Sequence, residues 1–135
     1  MKTEIKIKHL ELIQGVINRL ANNSFLIKGW TITIFLAGLG FFLNQKLPLA
    51  LLVIAFVIII FWFLDAFYLK QEKLYRRLYS DVAKKEQAKP FDMDISKYNT
   101  EISSTLLIMF SYPLYILYLP LIVVLVLIYQ NICLN

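Results

Sequence analysis

Leu47-Pro48-Leu49-Ala50-Leu51-Leu52-Val53-Ile54-Ala55-Phe56-Val57-Ile58-Ile59-Ile60-Phe61-Trp62-Phe63-Leu64-Asp65-Ala66-Phe67-Tyr68-Leu69 is apolar on every side of a helix except for one carboxylate. As a helix it extends about 34 Å at ~1.5 Å per residue, enough to cross a hydrocarbon core of roughly 30 Å. Residues 25–43 and 105–129 form two more runs of this kind. In lipid the backbone must satisfy its own hydrogen bonds, so such runs become helices. A chain of 135 residues is too short to wrap three helices that are apolar all round in soluble structure. The chain is 59% hydrophobic with mean hydropathy +0.66, against roughly 45–50% apolar for soluble domains. The expected fold is an all-α integral membrane protein. It has three transmembrane helices and an N-terminal amphipathic helix, and it assembles as an oligomeric bundle. The expected segments are 1–24 (amphipathic helix), 25–69 (hairpin of spans one and two), 70–103 (basic helix and loop) and 104–135 (third span and tail).

Charge sets the expected orientation. The net charge is +5. Lys2, Lys6, Lys8, Arg19 and Lys28 precede or open the first run, and seven Lys/Arg between Lys70 and Lys89 outweigh Glu72, Asp81 and Glu86. The turn between spans one and two holds Asn44, Gln45 and Lys46, and no charged side chain follows Tyr129. The positive-inside rule therefore puts the N-terminus and the 70–103 segment in the cytoplasm and the C-terminus outside a bacterial inner membrane. The first 24 residues carry charges throughout, so no signal peptide is expected. The lone Cys133 cannot form an internal disulfide and is expected at the lipid interface. His9 has no neighbouring Cys or His to share a metal, so neither a metal nor a cofactor is expected.

Within residues 4–21, Ile13, Val16, Ile17 and Leu20 recur at helical spacing, while Glu4, Lys8, Glu11, Gly15 and Asn18 take the other side. This is an amphipathic helix: either an interfacial helix on the inner leaflet or a movable element docked into a bundle of copies. Glu11, Gln14 and Asn18 would suit a wet lumen. Asn22, Asn23 and Ser24 are expected to break the chain and cap the first span. Trp30 fits an interfacial belt. Gly29, Thr33, Ala37 and Gly40 form a small-residue stripe that favours close helix approach. Pro48 suits the first position of the second span.

Asp65 is expensive in lipid without a partner or water. Lys28 and Asp65 lie at matched distances from the turn at 44–48, about 24–26 Å along their helices. A Lys28–Asp65 ion pair is one reading. The other is a ring of carboxylates that selects cations in an oligomeric pore. The second helix is expected to continue through Val82, with Leu74, Leu78 and Val82 as an apolar row. Lys70, Lys73, Arg76, Arg77, Lys84 and Lys85 supply cations beside Tyr68, Tyr75 and Tyr79. That surface suits either phospholipid or an anionic, nucleic-acid-like ligand, since cations neutralise phosphates and aromatic rings stack on bases. Asp92 and Asp94 read as a turn. Pro113 and Pro120 favour kinks in the third span. Ser104, Ser111, Tyr115 and Tyr118 are expected on one of its faces, where their hydroxyls need helix contacts or the water of a conduit made by several copies.

No nucleophile with a base, no Gly-rich phosphate loop and no HExxH is present, so an enzyme is not expected. Permeation, scaffolding and signalling remain as functions.

Leu12-Ile13-Gln14-Gly15-Val16-Ile17-Asn18-Arg19-Leu20-Ala21-Asn22-Asn23-Ser24-Phe25 with Lys28-Gly29-Trp30, then Phe61 to Leu69, Gln71 to Arg76, Leu78-Tyr79 and Phe91-Asp92-Met93, resemble a family of small three-span membrane effectors of bacterial anti-phage operons of the Hailong type. The resemblance reaches about Tyr98, and the third span matches only as an apolar segment with prolines. It implies a homo-oligomeric, tetrameric ion channel of the inner membrane. A single-stranded, nucleic-acid-like oligomer made by a partner nucleotidyltransferase would hold it shut. Loss of that oligomer would open it, depolarise the membrane and arrest the cell, and the N-terminal helices would plug the resting pore. Two rivals fit the same residues. One is a phage holin, which makes large unregulated lesions. The other is an accessory subunit that docks a soluble partner and does not conduct.

Overall fold

The computed structural model describes residues 3–85 and 89–134. Lys2, Glu86 and the side chain of Cys133 lie outside the described residues. All regular structure there is helical: α1 (Thr3–Gln45), α2 (Pro48–Lys84), a 3-10 turn (Ser96–Tyr98), α3 (Thr105–Met109) and α4 (Tyr112–Leu134). Three helices, α1, α2 and α4, are long and apolar enough to cross a membrane.

The main difference from expectation lies in α1. Asn22, Asn23 and Ser24 neither break the chain nor cap a span; one helix of 43 residues runs straight through them. At ~1.5 Å per residue it is about 65 Å long, and the 37-residue α2 is about 55 Å. Both exceed a hydrocarbon core of roughly 30 Å. The amphipathic segment is thus the extension of span one beyond the apolar zone. It packs along the extension of α2. Ile13, Ile17, Leu74, Leu78, Val82 and Tyr98 form a second core there. Lys6 Nζ donates to the Ala83 carbonyl at 2.7 Å, satisfying one of the carbonyls that a helix end leaves open. Asn and Ser are only mildly unfavourable inside helices, and burial of the flanking apolar rows outweighs them.

The α1–α2 turn is tight. Lys46 adopts φ 53 and its N–H reaches the Phe42 carbonyl at 2.7 Å. Leu47 is extended, and Pro48 opens α2 where its missing N–H costs nothing. Below the turn the helices touch at Gly38, where an added Cβ would sit 2.5 Å from Ile54 Cγ1. Gly29, Thr33, Ala37 and Gly40, expected to provide the close approach, are exposed instead.

The third span starts later than expected. Ser104 caps the short α3, its Oγ accepting from Leu107 N–H at 3.4 Å. The helix then stops at Phe110, and α4 restarts at Tyr112. Pro113 explains the break: it lacks the N–H that would bond the Met109 carbonyl four residues earlier, and its ring collides with that carbonyl. The Trp62 indole N–H takes the freed carbonyl at 2.8 Å, in a buried position. Pro120 stays inside α4.

Candidate functional site

The polar centre of the fold joins all three spans. Asp65 on α2 is fully buried. Lys28 Nζ on α1 lies 2.7 Å from its Oδ2 and 2.9 Å from its Oδ1. Ser24, one turn earlier on α1, donates its hydroxyl to Oδ1 and accepts from Lys28 Nζ at 2.7 Å. The Tyr118 hydroxyl of α4 donates to Oδ2 at 2.9 Å. Tyr118 is itself fully buried and stacks on Trp62, with ring centroids 5.7 Å apart and planes 4° from parallel. A carboxylate in lipid needs a counter-charge and donors on both oxygens, and these three residues supply them. The pairing expected from matched depth is present, and Asp65 points into the protomer rather than onto an open face.

The other expected pore residues separate into distinct places. Ser104 caps α3, and Ser111 sits in the break, its buried hydroxyl without a partner among the described residues. Tyr115 is exposed beside Tyr112, while Tyr118 is buried. They do not share one face: the break before Pro113 sets Ser104 on α3 apart from α4, and within α4 Tyr115 is exposed while Tyr118 is buried. Glu11, Gln14 and Asn18 are exposed on α1, and Gln14 Nε2 donates to Asn18 Oδ1 at 2.9 Å.

Continuity of α1 merges two stripes that looked separate in the sequence. At ~100° per residue, Glu11, Gln14, Asn18, Asn22, Gly29, Thr33 and Gly40 fall within about 60° of one line. All seven are exposed, and so are Phe25, Ile32, Leu36 and Leu43 along the same line. The buried residues Ile13, Ser24, Thr31, Phe35 and Phe42 lie on the opposite side. The Thr33 hydroxyl bonds back to the Gly29 carbonyl at 3.0 Å, so it adds little polarity to the outward face.

The basic row on α2 divides into paired and free cations. Arg76 pairs with Glu72 at 2.7 Å, Arg77 lies 3.9 Å from Glu101, and Lys85 pairs with Asp81 at 3.1 Å. Lys70, Lys73 and Lys84 have no carboxylate partner among the described residues. Lys73, Arg76 and Arg77 line a cavity of about 400 Å³ with Glu101 and Ser103. Beyond this row, the Tyr98 hydroxyl donates to Asp81 Oδ2 at 2.8 Å. That bond, helped by Lys85, holds the Asp81 carboxyl below its usual range. Burial, with Asp81 as its acceptor, pushes Tyr98 up to about 12.

Sequence reasoning missed Ser24, Trp62 and His9 as site residues. Ser24 carried a signal, being four residues before Lys28 and hence on the same face. Trp62 and His9 carried none, since their partners come from distant segments. These features define a three-span helical membrane protein with an internally neutralised intramembrane carboxylate. No protein-family model matches the chain, and no curated protein or solved structure matches it either.

Proposed function

We propose that the chain is one subunit of a homo-oligomeric, gated ion channel of the bacterial inner membrane. It is a non-enzymatic anti-phage effector that depolarises the cell when an anionic, nucleic-acid-like ligand is lost. The carrying observation is the exposed polar face of α1 from Glu11 to Asn22, which continues along the span as a mixed line of Phe25, Gly29, Leu36 and Gly40. Copies that bring this face together place polar side chains along an axis outside the apolar zone and pack apolar and small residues against one another inside it. Three spans are too few to enclose a conduit, so assembly is required, and resemblance supplies the number four. On the α2 row, Lys70, Lys73 and Lys84 have no carboxylate partner among the described residues and are available to a polyanion. The basic residues at both ends of the hairpin orient the N-terminus inward.

One observation favours a second reading, a non-conducting docking subunit. Asp65 is already neutralised inside the protomer by Lys28, Ser24 and Tyr118, so no carboxylate at membrane depth is left for selecting cations.

Planar-bilayer recording of the purified protein separates these readings. Discrete currents suppressed by short single-stranded oligonucleotides are expected, with suppression lost in Lys73→Glu/Lys84→Glu. Silence from folded protein in both conditions supports docking, and large unregulated lesions support a holin-like pore. Either result overturns the gated channel.

A further inference from the structure

His9 is the only histidine of the chain and is fully buried. Its Nε2 lies 2.9 Å from the Asp92 carbonyl. A carbonyl can only accept, so Nε2 carries the proton, and in the neutral ring Nδ1 presents a lone pair. Nδ1 has no partner among the described residues. An unmet buried acceptor costs about 1–3 kcal/mol, so it calls for a donor.

The loop is shaped around this ring. Phe91 adopts φ 60, which costs a bulky residue ~1–3 kcal/mol, and its ring lies 6.0 Å from the imidazole. Beside them, His9, Asp81, Lys85, Lys89, Asp92 and Lys97 line a cavity of about 240 Å³. The carboxylates on its wall are engaged. Asp81 Oδ2 accepts from Tyr98 and Lys85, and Asp92 Oδ1 accepts from Asp94 N–H at 3.0 Å. Lys89 and Lys97 have no carboxylate partner among the described residues. The cavity thus offers the ammonium groups of Lys89 and Lys97, the latter 4.9 Å from the Tyr98 ring centroid, and one buried hydrogen-bond acceptor on the His9 that lines it. Inorganic phosphate and phosphomonoesters match that set, because in monoprotonated form or as inorganic hydrogen phosphate they join negative oxygens to one P–OH donor. Sulfate carries the charge without the donor. His9 lies about 24 Å along α1 from Phe25, where the apolar run begins, at ~1.5 Å per residue, so the ligand arrives from water rather than from a lipid headgroup.

We propose that the cavity between the start of α1, the end of α2 and residues 89–98 binds a protonated phosphate group. Lys89 and Lys97 contact its anionic oxygens, and His9 Nδ1 accepts its P–OH. The site is separate from the row at Lys70, Lys73 and Lys84, and it stands whether or not the chain conducts.

The test is calorimetric titration of the full chain in nanodiscs with inorganic phosphate and with sulfate, near pH 8, where a free imidazole is neutral. Saturable phosphate binding is expected, about tenfold or more tighter than sulfate. Lys89→Gln/Lys97→Gln should weaken both anions. His9→Phe, which keeps a ring beside Phe91, should abolish the preference alone. Nitrogen NMR of the wild-type protein needs no variant: the single imidazole should report a shift at Nδ1 with phosphate and none with sulfate. Equal affinities for the two anions, an unmoved Nδ1 signal at saturating phosphate, or no saturation with folded protein would each overturn the proposal.

Discussion

Replacing Lys28 by Met removes the counter-charge from Asp65 while keeping most of the aliphatic stem. The carboxylate is fully buried, and Lys28 is the only cation paired with it among the described residues. A buried charge stripped of its partner costs about 3–5 kcal/mol. The Lys28 side chain is 28% exposed, so water can reach part of the vacated space, and the lower end, near 3 kcal/mol, is expected. Tyr118→Phe removes one bond to a charged acceptor, worth ~1.5–3 kcal/mol, and keeps the stack on Trp62. Lys28→Met combined with Asp65→Leu should recover most of the loss, since a buried pair replaced by apolar groups is often neutral or better. With the single variant Asp65→Leu added, Lys28→Met and the double variant form a cycle that isolates the pair. Equilibrium unfolding in bicelles, followed by steric trapping, reads all of them. The reasoning fails if Lys28→Met costs under about 1 kcal/mol and the double variant is no better. That pattern would mean water solvates Asp65 in the assembled protein, and Asp65→Asn should then alter ion selectivity.

Two further outcomes follow from the helix contacts. Gly38→Val should destabilise the hairpin by roughly 1–3 kcal/mol, because even a Cβ meets Ile54 at 2.5 Å; the same change at Gly40, where nothing lies within 4 Å, should be near neutral, and equal thermal shifts would refute the assigned contact. The Tyr98–Asp81 bond should fasten the 89–103 loop only within a pH window. Asp81 is held below its reference value of 3.8, so its contribution is present above that value and is lost as pH falls through the lowered one. Tyr98 is raised from 10.0 to about 12, so its contribution is complete below 10.0 and is lost as pH rises toward 12. Hydrogen exchange at Tyr98 and Asn99 should therefore accelerate at both extremes in the wild-type protein and be uniformly faster in Tyr98→Phe.

What could be read from the sequence follows from which forces act locally. Spans one and two were legible because the bilayer imposes one length and one polarity on any helix that crosses it. The Lys28–Asp65 pair was legible because a tight turn converts sequence distance into depth. The row Leu74, Leu78 and Val82 was legible because helical period alone places it on one face. Other features depend on contacts between distant segments. Asn22-Asn23-Ser24 looks like a cap, yet the helix continues because Ile13 and Ile17 bury themselves against Leu74 and Leu78. Ser24 is drawn inward by Asp65, 41 residues away. Pro113 looked like a kink and became a full break because Trp62, from another helix, was in place to take the carbonyl it released. The same break set Ser104, at the cap of α3, apart from Tyr115 and Tyr118 on α4.

These departures have a common direction. At membrane depth Asp65 and Tyr118 are satisfied inside the protomer, and α1 carries outward-facing polarity beyond the apolar zone, at Glu11, Gln14, Asn18 and Asn22. If copies assemble through that face, the segment governing permeation is the helical extension, while the membrane segment supplies apolar packing and a rigid clasp. Substitutions at Gln14 and Asn18 should then act on conduction without acting on stability. Substitutions at Lys28, Asp65 and Tyr118 should act first on stability. A chain whose role is to dock a partner would show the second pattern without the first.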